Sequence, residues 1–321
     1  MRLTSLELCA GAGGQALGLE QAGYEHVGLV EIDRHCCETL RLNRPNWNVI
    51  ETDLNHFDAR PFKGVDLVAG GVPCPPFSKA GKQLGAEDER NLFPAAINVV
   101  KQVRPRAVMF ENVRGLMDAV FDDYRKYITG EIRKLGYEVD WRLLNASDFG
   151  VPQLRPRVVM VGIRKDCFDH FEWPHQDVRA PTVGEALFDL MAQNKWSGAK
   201  NWKNRADDIA PTLVGGSKKH GGPDLGPTRA KKSWASLGVD GHGIADEVPD
   251  RNFVGMPRLT TRMAARIQGF PDDWQFAGRK TATYRQIGNA FPPPVAFHVA
   301  QAISEALLNA ENSQKSKRKS A

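Results

Sequence analysis

Residues 6–18 read "LELCAGAGGQALG", and the fold is decided by how this stretch is read. A short apolar run ends at Cys9, glycines follow at Gly11, Gly13 and Gly14, and the helix-like "QALGLEQAG" begins at once. Gly11, Gly13 and Ala16 fit a G-x-G-x-x-G/A pattern between a strand and a helix. Glycines let a backbone turn tightly and approach a ligand, and the helix N-terminus presents free N–H groups. Glu31 closes the next apolar run, where a carboxylate accepts hydrogen bonds from ribose hydroxyls. Asp53 closes the third and is placed to read an adenine amino group. Together they predict a site for an adenosine-containing cofactor. The glycine turn alone fits a nicotinamide dehydrogenase, a flavoprotein or a methyltransferase.

Outward from this turn, short β-type runs alternate with helical patterns. "TSLELC", "HVGLVEI", "WNVIETDL", "VDLVAGG", "RAVMFENV" and "VVMVGIR" read as strands. "QALGLEQAG", "RHCCETLRLN", "LFPAAINVVKQV" and "YRKYITGEIRKLG" read as the helices between them. Such alternation predicts an α/β fold with a doubly wound, mostly parallel sheet. From residue 168 to 258 regular periodicity fades, and eleven of the 30 glycines and four of the seven tryptophans fall there, which predicts a second, smaller, loop-rich domain. Periodic helix returns at "TTRMAARIQGF" and in the closing "PPVAFHVAQAISEALLNA". The expected organisation is therefore 1–167, 168–258, 259–311 returning to the first unit, and a basic, disordered tail at 312–321.

Composition narrows the function classes. Hydrophobic content of 41% with 25% charged residues is that of a soluble globular protein. No run reaches the ~20 apolar residues of a bilayer span, and the N-terminus lacks the marks of a signal peptide, so a cytoplasmic protein is expected. The five cysteines are odd in number, contain no C-x-x-C, and no His/Cys cluster has zinc-ligand spacing, which argues against disulfides and structural zinc. Net charge is +5, much of it in the tail "SQKSKRKSA", so a polyanionic partner has to be argued from local clusters.

Ligands of open α/β sheets bind outside the carboxyl ends of the strands. "VDLVAGGVPC" brings Cys74 to that edge, and "RAVMFENVRG" brings Glu111 and Asn112 there on the following strand. In "VPQLRPR", Gln153, Arg155 and Arg157 alternate, so the two arginines share one side of an extended segment. A thiolate is a nucleophile, and a carboxyl buried beside a pocket holds its proton to higher pH. This set suits methylation of cytosine at carbon 5, which is too poor a nucleophile to act directly. Thiolate addition at carbon 6, with ring nitrogen 3 protonated by the acid, makes an enamine whose carbon 5 attacks an electrophilic methyl. An arginine on the exocyclic oxygen stabilises the intermediate, and no metal is required.

With these motifs in view, the sequence resembles the cytosine-5 DNA methyltransferases, which use S-adenosyl-L-methionine. The resemblance spans most of the chain outside 168–258. "ELCAGAGG" resembles the family's cofactor loop, "VEID" its ribose segment, "TDL" its adenine turn and "GGVPCPPFS" its nucleophile motif. "ENVRG", "QLRPR", "RIQGFPDDW" and "QIGNAFPPPVA" follow in the family's order. It implies a Rossmann-like methyltransferase sheet, with Cys74 as nucleophile, Glu111 as the acid at ring nitrogen 3, and Arg155 and Arg157 organising the pocket. It implies cofactor binding by Leu8, Cys9, Gly11, Gly13, Gly14, Glu31, Ile32, Asp53, Leu54, Pro73, Asn289 and Ala290. It also implies that "SKAGKQLGAEDERNLF", with Gly81 and Gly85, closes over a flipped base. Three positions depart from the pattern: Cys9 replaces a phenylalanine, Pro75 a glutamine and Met263 a common glutamate.

A cytosine within a duplex has to be flipped out to be reached. The resemblance assigns reading of the surrounding double-stranded DNA to 168–258. Within 195–232, Lys195, Lys200, Lys203, Arg205, Lys218, Lys219, Arg229, Lys231 and Lys232 outnumber Asp207, Asp208 and Asp224. Interleaved Trp196, Trp202 and Trp234 suit phosphate contact with groove insertion, and "GGSKKHGG" and "GPTRAKKSW" are the expected reading loops. The implied biology is the protective half of a bacterial restriction–modification pair, a monomer whose cognate endonuclease acts separately. A cytosine-5 methyltransferase of RNA and a catalytically silent DNA-binding regulator are the alternatives that the motifs leave.

Overall fold

A computed structural model of the chain describes residues 2–73, 91–175, 178–215 and 223–319. The first strand, β1 (Thr4–Leu8), runs into the glycine turn and α1 (Gly14–Gln21). Then come β2 (Glu25–Glu31), α2 (Arg34–Asn43), β3 (Val49–Glu51), β4 (Leu67–Gly70), α3 (Phe93–Val103) and β5 (Ala107–Val113). After α4 (Asp122–Lys134) the chain forms β6 (Tyr137–Asn145), the two-residue β7 (Gln153–Leu154) and β8 (Pro156–Arg164).

The main sheet has the order β3-β2-β1-β4-β5-β8-β6. The first five strands of that order are mutually parallel, and β8 is antiparallel to both of its neighbours. The doubly wound, mostly parallel sheet is therefore as expected. One strand was not: "YEVDWRLLN" forms β6, an edge strand paired only with β8. Its alternation of Tyr137 and Val139, both buried, with the more exposed Glu138 and Asp140 is that of an edge with one wet face.

Apolar clusters fill both faces of the sheet. Leu6 and Leu8 pack with Val68, Val108 and Phe110 on one side. Ala69, Met109 and Val161 pack on the other against α11 (Pro293–Lys319), through Val295, Val299 and Ile303. The helix continues to Lys319 through the stretch expected to be disordered; Gln, Lys and Arg are good helix formers, so the backbone pattern carries on beyond the apolar face. Among the described residues no helix is long and apolar enough to cross a membrane.

The remaining elements are α5 (Lys165–Phe168), α6 (Val183–Met191), α7 (Ala199–Arg205), β9 (Ala210–Pro211), α8 (Thr228–Ser236), α9 (Thr261–Ile267) and α10 (Lys280–Asn289). α6, α7 and α8 share one apolar cluster with α9 and α10, so the stretch 168–258 does not carry a core of its own. Met263 is fully buried in that cluster, which gives the glutamate of the family pattern no place there.

Candidate active site

The carboxyl ends of β1 to β4 open onto a cavity of about 650 Å³. The turn after β1 forms part of its wall, with Cys9 at φ 52° and Gly11 at φ 54°. Glycine enters this left-handed region freely, whereas Cys9 has to be held in it. Glu31 supplies part of that restraint. Its Oε2 accepts from the Gly11 N–H at 2.7 Å, and its Oε1 from the N–H groups of Ile32 and Asp33 at 2.9 and 2.7 Å. One carboxylate thus fastens the β1 turn to the β2 turn. Burial pushes its pKa up, and the three backbone donors pull against that shift. Burial, then the carboxylates of Glu31, Glu7 and Asp53, push the Cys9 thiol far up, so it is no nucleophile.

Most of the residues expected to bind the cofactor meet at this cavity: Cys9, Gly11, Gly14, Glu31, Ile32, Asp53, Leu54, Pro73, Asn289 and Ala290 all line it. Ile32 is 65% exposed, an apolar side chain left open at the rim. Asp53 caps the turn after β3, its Oδ1 accepting from the Asn55 N–H at 2.9 Å. Two expected residues do not line it. Leu8 is buried in the core beneath the sheet. Gly13, at φ 85°, packs the turn against Trp274, where a β-carbon would lie 3.0 Å from the indole ring. The Trp274 indole N–H in turn donates to the Ala12 carbonyl at 3.2 Å.

Among the lining residues that the sequence motifs did not single out are two buried polar ones, Glu7 and Gln15. Glu7 is fully buried, and among the described residues neither its two oxygens nor the side-chain amide of Gln15 has a hydrogen-bond partner. Burial pushes the Glu7 pKa up to about 8. The signal was present in "LEL", an acid between two inward leucines; alternation along β1 turns it to the opposite face.

Glu111 lies on the same cavity, near the end of β5. Arg157 Nε donates to its Oε1 at 2.9 Å, and both side chains are nearly buried. Burial raises the Glu111 pKa, and Arg157, then Arg155, oppose it. The turn after β4 passes directly against this carboxyl: a β-carbon on Gly71 would lie 3.3 Å from Glu111 Oε2. Asn112 Nδ2 donates to the Val72 carbonyl at 2.7 Å, and the Leu92 N–H to the Pro73 carbonyl at 3.3 Å. Pro73 and Leu92 therefore meet at the cavity beside Glu111. Cys74, Pro75, Gly81 and Gly85 lie outside the described residues.

Neither arginine is among the residues that line the cavity: Arg157 meets it through Glu111, and Arg155 is engaged elsewhere. It is fully buried, with Nη1 donating to the Leu213 carbonyl at 2.8 Å and Nη2 to those of Gly288 and Ala290 at 2.8 and 2.9 Å. The reason is a change of sheet. β7 pairs with β9 while β8 pairs in the main sheet, so Arg155 falls at the junction and alternation does not carry across it. It positions backbone and does not reach the cavity.

The model of the C-5 cytosine-specific DNA methylases matches residues 3–305. The chain belongs to the C-5 cytosine-specific DNA methylase family. It is 57% identical over 311 residues to the Type II methyltransferase M.NgoMIV of Neisseria gonorrhoeae, across 96% of this chain and 99% of that one. It is 55% identical over 312 residues to the Type II methyltransferase M.NaeI of Lentzea aerocolonigenes, across 95% of this chain and 75% of that one. The S. pombe Dnmt2 methyltransferase superposes with a TM-score of 0.66 at 19% identity, over 95% of this chain and 99% of that one. The Entamoeba histolytica methyltransferase EhMeth gives 0.67 at 15% identity, over 96% and 99%. At those identities the structural likeness speaks for the fold. Family and fold imply a methyl donor of the S-adenosylmethionine type.

The basic segment of this DNA methylase differs from its sequence reading. Trp196, Trp202 and Trp234 are all buried in the cluster under α6 to α10, so none is available to enter a groove. The Trp196 indole N–H donates to the Phe253 carbonyl at 2.9 Å. Part of the charge is also engaged: Lys231 pairs with Asp224 at 2.7 Å, and Arg205 Nη2 donates to the Ala235 carbonyl at 2.6 Å. Arg229 and Lys232 stand exposed on α8; Lys218 and Lys219 lie outside the described residues.

Proposed function

We propose that this methylase transfers a methyl group from S-adenosyl-L-methionine to carbon 5 of a flipped-out cytosine in double-stranded DNA. The observation that carries the reading is Glu111, on the wall of the cavity that Glu31 and Asp53 also line, beside the Gly71–Pro73 turn and ion-paired to the nearly buried Arg157. The residues present suit the cofactor. Asp53 and Ile32 offer an acceptor and an apolar surface for adenine, and Glu31 a carboxylate for ribose hydroxyls. Glu7 and Gln15 supply the buried polar atoms without partners that the ammonium and carboxylate of an amino acid would satisfy. When bound, the cofactor supplies an electrophilic methyl group.

The chain's own groups do the rest. Cys74 is the nucleophile that adds to carbon 6, and Asn112 holds the Val72 carbonyl two residues before it. Glu111 delivers a proton to ring nitrogen 3, and its burial favours the protonated form that this step needs. Arg157 orients the Glu111 carboxyl and places a positive charge where the ring's exocyclic oxygen gains electron density. Arg155 holds the junction between the two sheets in place. Proton loss at carbon 5 and elimination of the Cys74 thiol complete the cycle.

Residues 168–258 read the DNA sequence around the target, with exposed Arg229 and Lys232 among its phosphate contacts. The enzyme is read as a cytoplasmic monomer that protects DNA from a separate cognate endonuclease, a role in restriction–modification that the relatives named Type II methyltransferases support. The test is transfer of labelled methyl to duplex DNA and, in parallel, to transfer RNA. Label is expected in 5-methylcytosine of DNA only, and none from Cys74→Ala. Methylation by purified Cys74→Ala, or label confined to RNA, overturns the reading.

A further inference from the structure

The last turn of α10 lies between the cofactor cavity and the segment 210–215. On one side of it Arg285, Gln286 and Asn289 line the cavity, with Arg285 Nη2 3.5 Å from Asp33 Oδ2. On the other side Gly288 meets the backbone of Gly215. A β-carbon on Gly288 would fall on the Gly215 N and Cα and lie 2.9 Å from the Val214 carbonyl carbon. A β-carbon on Gly215 would fall on Asn289 Oδ1 and lie 2.6 Å from the Arg285 carbonyl oxygen. Neither position has room for any side chain.

Buried polar groups hold the two backbones together. Arg155 donates to Leu213 on one side and to Gly288 and Ala290 on the other. Gln153 Oε1 accepts from the Leu213 N–H at 2.8 Å, and its Nε2 donates to Gln268 Oε1 at 2.8 Å. Gln268 in turn donates to the Ala290 carbonyl. Beyond Gly215 the sequence continues through Gly216 into the basic "SKKHGG".

We infer that Gly215 and Gly288 are positioning residues for Asn289, so that the segment leading into the basic stretch sets the affinity of the cofactor site. The inference rests on the cavity being the cofactor site, as proposed above. This backbone-to-backbone contact, locked by Arg155, sets Gly215 directly against the Asn289 amide. Moving the segment by the width of a methyl group moves that amide, and a misplaced hydrogen-bonding group costs about tenfold in affinity.

The test uses binding of S-adenosylhomocysteine by calorimetry, and steady-state methylation. In Gly215→Ala the dissociation constant and the cofactor KM are expected to rise about tenfold, with kcat at saturating cofactor within about twofold. Asn289→Ala should lose a similar factor, and the double variant no more than Asn289→Ala alone, because both act through one amide. A folded Gly215→Ala with wild-type affinity, or losses that multiply in the double variant, overturns the inference. If wild type itself does not bind S-adenosylhomocysteine, the cofactor reading fails instead.

Hydrogen exchange on wild-type protein covers the case in which the variants do not fold. Ligand should slow exchange of the Leu213 N–H, which is outside the cavity wall, together with residues 285–290. Protection at 285–290 with none at Leu213 also overturns the inference.

Discussion

Glu7 offers the sharpest quantitative test of the site. It is fully buried on β1, has no hydrogen-bond partner among the described residues, and titrates at about 8 instead of its ordinary 4.5. The folded chain therefore keeps a proton that the unfolded chain gives up above pH 4.5. Between these values the native state binds more protons than the unfolded state, so stability falls as pH rises. The slope is about 1.4 kcal/mol per pH unit, and by pH 7 the accumulated loss is about 3 kcal/mol. The glutamine of Glu7→Gln cannot ionise and has no such slope. In urea denaturation of the cofactor-free proteins from pH 5.5 to 8, wild type should therefore lose about 3 kcal/mol relative to Glu7→Gln. The same carboxyl gives a second readout. An ammonium group placed beside it lowers its pKa, so wild type at pH 7 should release close to one proton on binding S-adenosylhomocysteine. Calorimetry in buffers of different ionisation enthalpy counts that proton, and Glu7→Gln should release none. A stability difference that does not change with pH would refute the argument, because Glu7 would then be solvated or paired.

Three further substitutions test other parts of the structure. Arg155→Met leaves the carbonyls of Leu213 and Gly288 buried without donors among the described residues and takes one of two donors from Ala290, and should cost about 3 kcal/mol in urea denaturation; a cost below about 1 kcal/mol would show that water replaces the guanidinium. Glu111→Gln keeps the shape but cannot protonate the ring, so methyl transfer should fall at least about a hundredfold with S-adenosylhomocysteine affinity within about twofold. Met263→Glu restores the residue common in the family pattern but puts a carboxylate into a fully buried apolar cluster. It should destabilise the protein by about 3 kcal/mol or more, and an unchanged melting temperature would mean that a partner for the charge exists.

Strands buried on both faces were the most legible part of the fold. "VDLVAGG" and "RAVMFENV" are continuous apolar runs that stop at the sheet edge, and the residues that end them, Gly71, Glu111 and Asn112, are those that build the site. β6 was harder, because an edge strand with one wet face breaks its apolar run with Glu138 and Asp140. The tryptophans misled for a different reason. Lysines close in sequence to Trp196, Trp202 and Trp234 suggest a nucleic-acid surface, yet on a helix such as α7 successive residues point about 100° apart, so Trp202 turns inward while Lys203 beside it is only partly covered. Arg155 and Arg157 look equivalent in "QLRPR" because period-2 alternation assumes one continuous sheet. Pairing of Gln153–Leu154 with Ala210–Pro211 is a long-range event that no local pattern announces.

Two of the buried carboxyls of the cavity, Glu7 on β1 and Glu111 on β5, stand in contrasting settings. Both are pushed toward the protonated form by burial, but only Glu111 has a guanidinium against it. Arg157 draws the Glu111 pKa back, which suits an acid that gives up a proton and recovers it in each turnover. Glu7 has no cation of its own, so nothing within the described chain favours its charged form. In the proposed reaction the difference fits the two ends: Glu111 for the ring that is methylated, and Glu7 for the positive charge carried by the methyl donor. A cation already paired with Glu7 would have stabilised the empty protein and weakened the cofactor's claim on the site. The stability that β1 forgoes with an unpaired acid is recovered only when a cationic ligand binds, which links the folding energetics of the sheet to the occupancy of its cavity.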